Sequence, residues 1–489
     1  MKRVEEIKFD RSLSATSGLL QEKTMWGSNG IPTAARVVRG ANNQPVVAEA
    51  STSKRLNRFI LAGTLIVLST AVFLFFFLRP EFDNLFSQRL NSPWGFALIV
   101  VSLSLLAFRL LMYVYYLALY NRYKAVESVS DEELPNCTVI VPAYNEGRLV
   151  WQTLRSLVDS DYPANKLQII SLDDGSKDDT WEWMKRAKRE LGERVQIYQQ
   201  PKNMGKRHAL YRGFQLADGD VFVTVDSDSI VKKNTLRNLV SPFVTNPKCG
   251  AVAGNVRVLN REKAFIPRML NVSFAFSFEF IRSAQSTMGS VLCTPGALAA
   301  YRKGAVMNCL HDWINQTFMG TPSDIGEDRA MTNMILKQGY DVNFQSNAHV
   351  LTDIPERYRN LRKMLTRWER SNVRENIMMS KYAFKKFREG SVAGPRVLLV
   401  DQWIRIIMAY PAIALMLFFL VTHPILFICS TLFGTLLFSS LPALFFARKH
   451  SVTESVWAYS YGVFYAFALF WIKPYAIATA SRRGWLTRG

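Results

Sequence analysis

The sequence predicts an α/β domain with a mostly parallel sheet, inserted between N- and C-terminal transmembrane helices and flanked by interfacial amphipathic helices. Apolar blocks lie at both ends of the 489-residue chain, although its mean hydropathy is near zero. Strand-like and helix-like patterns alternate from Asn136 onward. Short polar clusters fall where the strands should end, and open parallel sheets bind ligands beyond those ends.

Residues 1–55 are polar and lack sustained periodicity, which predicts a mostly disordered cytoplasmic tail. Residues 56–125 should hold two transmembrane helices. Phe59 to Leu78 is uncharged and long enough to cross a bilayer core. It begins too far along the chain for a secretory signal. Gly95 to Tyr120 is interrupted by Arg109, which either faces the bundle or snorkels to the interface. Three more apolar blocks occupy Val397 to Ala480, within a C-terminal region of residues 377–489.

The net charge of +21 suggests nucleic acid as a partner, but its distribution argues against that. Lys54, Arg55, Arg58, Arg122, Lys124, Arg448, Lys449, Arg482, Arg483 and Arg488 all flank apolar blocks. That pattern places the N-terminus and the middle domain in the cytoplasm. A lipid bilayer and anionic substrates account for the remaining charge. The five cysteines are scattered without a CxxC pair, so no zinc site or disulfide framework is expected.

Residues 136–376 form the predicted domain. "CTVIVPAY", "LQIISLDDGS", "RVQIYQQ" and "DVFVTVDSDS" are strands, separated by amphipathic helices. "PAYNEG" and "DDGS" place Tyr144, Glu146, Asp173 and Asp174 where a base and ribose could sit, although capped turns have the same composition. In "VDSDS", Asp226 and Asp228 stand at i and i+2 and can aim two carboxylates at one Mg²⁺ or Mn²⁺. "NMGKRHAL" opens a helix with Lys206, suited to a phosphate or to a solvated basic turn. "GEDR" puts Glu327 and Asp328 in a first helical turn, where acids favour the helix dipole or serve as a general base.

In this order, "VPAYNEG", "LDDGS", "GKRHAL", "VDSDS", "GEDR" and "RW" resemble the processive, membrane-embedded family 2 glycosyltransferases. Hyaluronan synthases and rhizobial chitooligosaccharide synthases are the nearest branch, with "CTPGALAAYRK", "RWERSNVRE" and "WLTRG" adding to the likeness. The resemblance runs from about Asn136 to the C-terminus. It implies a cytoplasmic GT-A domain in a bacterial inner or plasma membrane. The implied reaction is inverting transfer from a UDP-sugar (UDP-N-acetylglucosamine, with or without UDP-glucuronate) to a growing polysaccharide that is exported, with Mg²⁺ or Mn²⁺ as cofactor. A mannuronan or glucan synthase, a non-processive lipid-carrier transferase and an inactive export scaffold are the alternatives.

Carried over by residue, the resemblance assigns the nucleotide-sugar to Tyr144, Glu146, Asp173, Asp174, Lys206, Asp226, Arg367, Thr487 and Arg488. The metal falls to Asp226 and Asp228, and general-base catalysis to Asp328 with Glu327 beside it. The acceptor falls to Trp368, Cys293, Gly296 and Trp485. Met364 stands where the family motif has Gln. The charges after Trp368 suit a helix at the membrane surface. A functional "WLTR" must remain cytoplasmic, which predicts four true spans. An interfacial segment would cover Pro395 to Arg405, spans would cover Ile406 to Val421 and Pro424 to Phe446, and Ser455 to Ala480 would be broken at Pro474.

Overall fold

The computed structural model describes residues 25–26, 32–33, 38–39, 45–46 and 49–482. Trp485, Thr487 and Arg488 lie outside the described residues, as does most of the expected tail. The chain divides into units of residues 1–63 and 64–489. The first contains two short antiparallel pairs, Met25–Trp26 with Pro32–Thr33 and Val38–Arg39 with Pro45–Val46. A helix spans Glu49–Phe77, beginning ahead of the expected boundary at residue 56.

In the second unit, an eight-stranded mixed sheet is built from β1 (Cys137–Ala143), β2 (Leu167–Asp173), β3 (Val195–Gln199), β4 (Val221–Thr224), β5 (Ser229–Val231), β6 (Cys249–Val258), β7 (Ala299–Arg302) and β8 (Asp341–Thr352). Their order is β3-β2-β1-β4-β7-β6-β8-β5. The first four strands pair in parallel, as do β6 and β8. β7 runs antiparallel to β4 and β6, and β5 antiparallel to β8. Every residue of β1 is buried, which is why "CTVIVPA" is an apolar run rather than an alternating one. Ile140, Ile169, Leu172, Phe222 and Phe344 fill the core, at roughly 1.5–3 kcal/mol per fully buried side chain. After β4 the chain leaves the sheet at Val225–Asp228 and returns as β5 at the far edge. The "DSD" acids therefore sit at a strand end.

Among the described residues, Pro93–Arg122, Ala393–Thr422 and Pro424–Lys449 are long and apolar enough to cross a membrane. The number rises to five if each of two bent pairs counts as one span: Leu61–Leu74 with Arg79–Gln88, at 56°, and Trp457–Leu469 with Ile472–Ala478, at 45°. The expected interfacial segment at Pro395–Arg405 runs into the next helix with only a break at Met408, giving a 30-residue apolar run. In the last block, Pro474 lies in the first turn after the bend, where its missing N–H costs no helical hydrogen bond.

Helix Tyr358–Ser380 does not leave its later charges on an open face. Arg370, Arg374 and Glu375 are 3%, 2% and 3% exposed. Arg370 Nε donates to Thr479 Oγ1 at 3.0 Å, and Arg374 donates to the Ala480 and Arg482 carbonyls at 2.5 and 2.7 Å. The charges are accommodated because the returning C-terminal segment supplies acceptors, which a linear pattern does not reveal.

Arg109 faces the bundle. Its Nη1 lies 2.8 Å from Asp401 Oδ1, while Arg405 Nε lies 2.9 Å from Asp401 Oδ2. Asp401 is the buried member and is held by two cations. Asp401→Ala should cost about 1–3 kcal/mol and lower the thermal midpoint in detergent. Arg405→Ala, which leaves the other pair, should cost less than about 1 kcal/mol. Equal midpoints for the two variants would contradict this hierarchy.

Candidate active site

The loop after β1 is held by the loop after β2. Asn145 adopts φ 53°, its N–H donates to Ser176 Oγ at 2.9 Å, and its Oδ1 accepts from the Lys177 N–H at 2.9 Å. Thr180 Oγ1 accepts from the Glu146 and Gly147 N–H groups, both at 2.8 Å. Tyr144 and Glu146 are thereby set on the rim above β1. Glu146 Oε1 accepts from Ser227 Oγ at 3.1 Å, which ties that rim to the residue between Asp226 and Asp228.

Asp173, at the end of β2, is fully buried and accepts from Ser176 N and Gln199 Nε2 at 3.1 and 2.8 Å. Asp174 uses both oxygens on the next turn, accepting from Met204 N and Gly205 N at 2.9 and 2.8 Å. Burial raises its carboxyl above the ordinary range, and these two N–H groups partly offset the rise. Asp174 thus shapes the turn that delivers Lys206.

Lys206 opens helix Lys206–Leu216. Its Nζ lies 2.5 Å from Asp226 Oδ1 and 3.2 Å from Glu327 Oε1. Gly296 backs this contact: a Cβ there would stand 2.5 Å from the Lys206 Nζ, so any side chain would displace the cation. Asp228 Oδ1 accepts from Thr352 Oγ1 at the end of β8, at 3.2 Å.

Glu327 and Asp328 begin helix Glu327–Lys337, preceded by Gly326 in the left-handed region at φ 77°. A Cβ at Gly326 would come within 1.9 Å of Ser371 Oγ, so glycine lets helix Tyr358–Ser380 approach this turn. Asp328 accepts from the Arg329 and Gly296 N–H groups at 2.7 and 3.2 Å, with Cys293 Sγ at 3.8 Å. Burial raises Asp328, and the adjacent Glu327 charge raises it further. Burial also pushes Glu327 upward, but Lys206, Arg367 and Arg207 outweigh it and hold that carboxyl below its ordinary value. Burial, followed by the Asp328 charge, pushes the Cys293 thiol up to about 12, so it stays protonated at neutral pH.

Trp368 is 40% exposed, and its ring lies 6.1 Å from that of Phe274. Met364, one turn earlier, is buried in the core cluster and needs no polar partner there.

The structure therefore brings Lys206, Asp226, Glu327, Asp328, Cys293 and Gly296 together, with Arg367 close enough to act on Glu327. Tyr144 and Glu146 line the adjoining rim, with Asp173 and Asp174 buried beneath it. Among the described residues, no group of three or more His, Cys, Asp or Glu side chains is arranged to hold a metal ion. Asp226 and Asp228 are hard oxygen donors that suit Mg²⁺ or Mn²⁺ when substrate phosphates and water complete the shell.

From the sequence, Arg207 read only as a cation beside Lys206, Arg329 only as part of "GEDR" and Glu375 only as one of the charges after Trp368, while Asn333 carried no signal. Arg329 donates to the Leu292 carbonyl at 2.7 Å and to Asn376 Oδ1 at 3.0 Å, anchoring the loop before β7 that carries Cys293. The only signal was a density of charge inside helices that otherwise pack as core.

Acidic strand ends facing a buried ammonium suit a sugar diphosphate, and the mixed sheet beneath them is that of a GT-A glycosyltransferase. Within that class, residues 135–371 match the family described as glycosyltransferase like family 2, and the domain belongs to it. An N-acetylglucosaminyltransferase of Rhizobium meliloti (strain 1021) is 31% identical over 283 residues, 58% of this chain and 66% of that protein. A hyaluronan synthase of Streptococcus pyogenes is 33% identical over 248 residues, 50% of this chain and 58% of that protein. The chain thus matches less than two thirds of the length of these relatives. A solved mannosyltransferase, PcManGT from Pyrobaculum calidifontis in complex with GDP-Man and Mn²⁺, overlays 85% of this chain at TM-score 0.48 and 18% identity, a likeness that bears on neither ligand nor metal.

The raised Asp328 carboxyl predicts a pH dependence. A base must be ionised to act, so transfer should fall as pH drops through a value above the ordinary aspartate range of about 3.9. Glu327→Gln removes the neighbouring negative charge and should move this acid limb of kcat/KM to lower pH. A limb that stays in place would show that Glu327 does not act on the titrating group.

Proposed function

We propose that the protein is a processive inverting glycosyltransferase that builds an extracellular polysaccharide from UDP-sugars and passes it across the membrane in which it sits. UDP-N-acetylglucosamine, with or without UDP-glucuronate, is the favoured donor, in keeping with the names of the two relatives. The catalytic domain faces the cytoplasm of a bacterial inner or plasma membrane.

The observation that carries this reading is a cavity of about 620 Å³ among the apolar helices. Tyr113, Ser273, Thr435 and Tyr461 line it, mixing hydroxyls with aromatic faces as a sugar chain requires. Val272 and Ser273 of its wall immediately precede Phe274, whose ring meets Trp368, so the exposed Trp368 face stands beside one wall of the cavity.

In this reading Trp368 stacks on the acceptor sugar and Asp328 takes the proton from its attacking hydroxyl. The acceptor oxygen bonds to the anomeric carbon as the bond from that carbon to the diphosphate oxygen breaks. UDP leaves with the electron pair. One displacement inverts the centre, so one base suffices and no covalent nucleophile is needed. Lys206 and Arg367 stabilise the charge on the departing diphosphate. A divalent ion held by Asp226 and Asp228 would neutralise part of that charge. Cys293 and Gly296 line the acceptor side, and Tyr144, Glu146, Asp173 and Asp174 frame the nucleoside. Trp485, Thr487 and Arg488 would complete the pocket from the C-terminal segment.

Purified protein should release UDP with Mg²⁺ or Mn²⁺ from at least one donor in a panel of UDP- and GDP-sugars. Specific hydrolases then identify the product. Asp328→Asn should lower release by about 10²–10⁴-fold. No release from any donor, with Asp328→Asn indistinguishable from the parent, would favour an inactive export scaffold. Trp368→Ala should abolish polymer while leaving UDP affinity within about threefold, since a ring stacked on the acceptor sugar makes no contact with the nucleotide. Equal loss of both would remove the acceptor role.

A further inference from the structure

We infer that Glu375 is a positioning residue that sets the acceptor helix against the base and the diphosphate-binding lysine. This inference rests on the proposed transfer reaction. Glu375 lies two turns beyond Arg367–Trp368 in the same helix, roughly 12 Å along its axis. It is 3% exposed.

Its Oε1 accepts from Gln316 Nε2 at 2.8 Å, and its Oε2 from Asn333 Nδ2 at 2.9 Å. Each partner leads to a different catalytic element. Gln316 Oε1 accepts from Arg207 Nη1 at 3.0 Å, and Arg207 follows Lys206 in the chain. The same Nη1 donates to the Trp313 carbonyl at 2.9 Å, while Trp313 Nε1 donates to the Glu327 carbonyl at 2.9 Å. Asn333 lies in the helix that begins with Glu327 and Asp328. It also donates to the Glu375 carbonyl, at 3.0 Å, and its Oδ1 accepts from Tyr382 OH at 2.5 Å.

One buried carboxylate therefore joins the three helices that carry Lys206, the Glu327–Asp328 pair and Arg367–Trp368. A buried ion is costly unless paired and hydrogen-bonded, and here Arg207, one amide away, and the neighbouring Arg374 both act on it as countercharges. A hydrocarbon at position 375 would pack without such constraints. The carboxylate fixes both the axial and the rotational setting of the helix, because its two oxygens take donors from two different elements. A small shift in reacting geometry slows transfer far more than it weakens donor binding.

Substituting Glu375→Gln turns one acceptor into an amide that meets a second amide. Full-length enzyme would be assayed with UDP-N-acetylglucosamine and UDP-glucuronate, reading both UDP released and labelled sugar in polymer. Transfer kcat should fall about tenfold or more, with donor KM within about twofold. Polymer formed per UDP should fall about threefold or more, as water replaces the misplaced acceptor. Adding Gln316→Glu to Glu375→Gln reverses donor and acceptor along that bond while keeping the buried negative charge, now beside Arg207, and should restore both values to within about threefold of the parent. Gln316→Leu cuts only the Lys206 side and should give the same split. An unchanged polymer-to-UDP ratio in Glu375→Gln and Gln316→Leu overturns the inference, as does donor KM rising in step with the fall in kcat. Loss of fold in both variants, or failure of the paired substitution to restore the ratio, also overturns it by leaving Glu375 only a packing role. Absence of UDP release by the parent enzyme would instead reject the transfer reaction itself.

Discussion

The site depends on one buried cation. Lys206 stands at the start of a helix, where the aligned peptide dipoles disfavour positive charge. It remains there because Asp226 and Glu327 both lie within ion-pair distance, at 2.5 and 3.2 Å. Burial disfavours the ammonium, but the two carboxylates outweigh it and hold its proton more firmly than in water. Those acids come from the end of β4 and the start of a helix more than 100 residues later in the sequence. The supporting groups serve this contact: Asp174 shapes the turn before Lys206, and Gly296 leaves space for its amine.

The same electrostatic arrangement separates two adjacent carboxyl groups. Glu327 is held ionised by the cations around it, whereas Asp328 is raised by burial and by Glu327 itself. Neighbouring acids with carboxyls pushed in opposite directions can take opposite tasks, one as a fixed charge and the other as a proton acceptor. Both gain from the positive end of their helix, so the pair can be buried without losing its charge entirely.

The apolar helices and the glycosyltransferase domain are joined through buried polar groups. Arg370 holds the Thr479 hydroxyl and Arg374 the backbone of the last helix's exit, and Asp401 gathers Arg109 and Arg405. Glu279, in a π-helical turn of the domain, accepts from Asn255 at 3.0 Å and lies 3.0 Å from His450, which follows the helix Pro424–Lys449. Buried polar groups of this kind make the junction selective for one arrangement, since each would be left unsatisfied in another.

The sequence alone determined the alternating α/β domain, because fully buried parallel strands leave apolar runs such as "CTVIVPA" between amphipathic helices. It also placed the acids at strand ends and at a helix start, where a few adjacent residues decide the chemistry. Arg109 remained undecided between bundle and interface, and the charges of "RWERSNVRE" resembled a solvated face, because linear periodicity records no partner. Only the tertiary structure showed Asp401 beside Arg109, and buried Arg374 and Glu375 satisfied by residues about 106 and 42–59 positions away. Asp174, legible as a nucleotide ligand or a turn cap, proved to spend both oxygens on a turn. Hydrogen-bonded burial makes the difference: it depends on distant donors and acceptors meeting in space, and spacing along the chain cannot encode it.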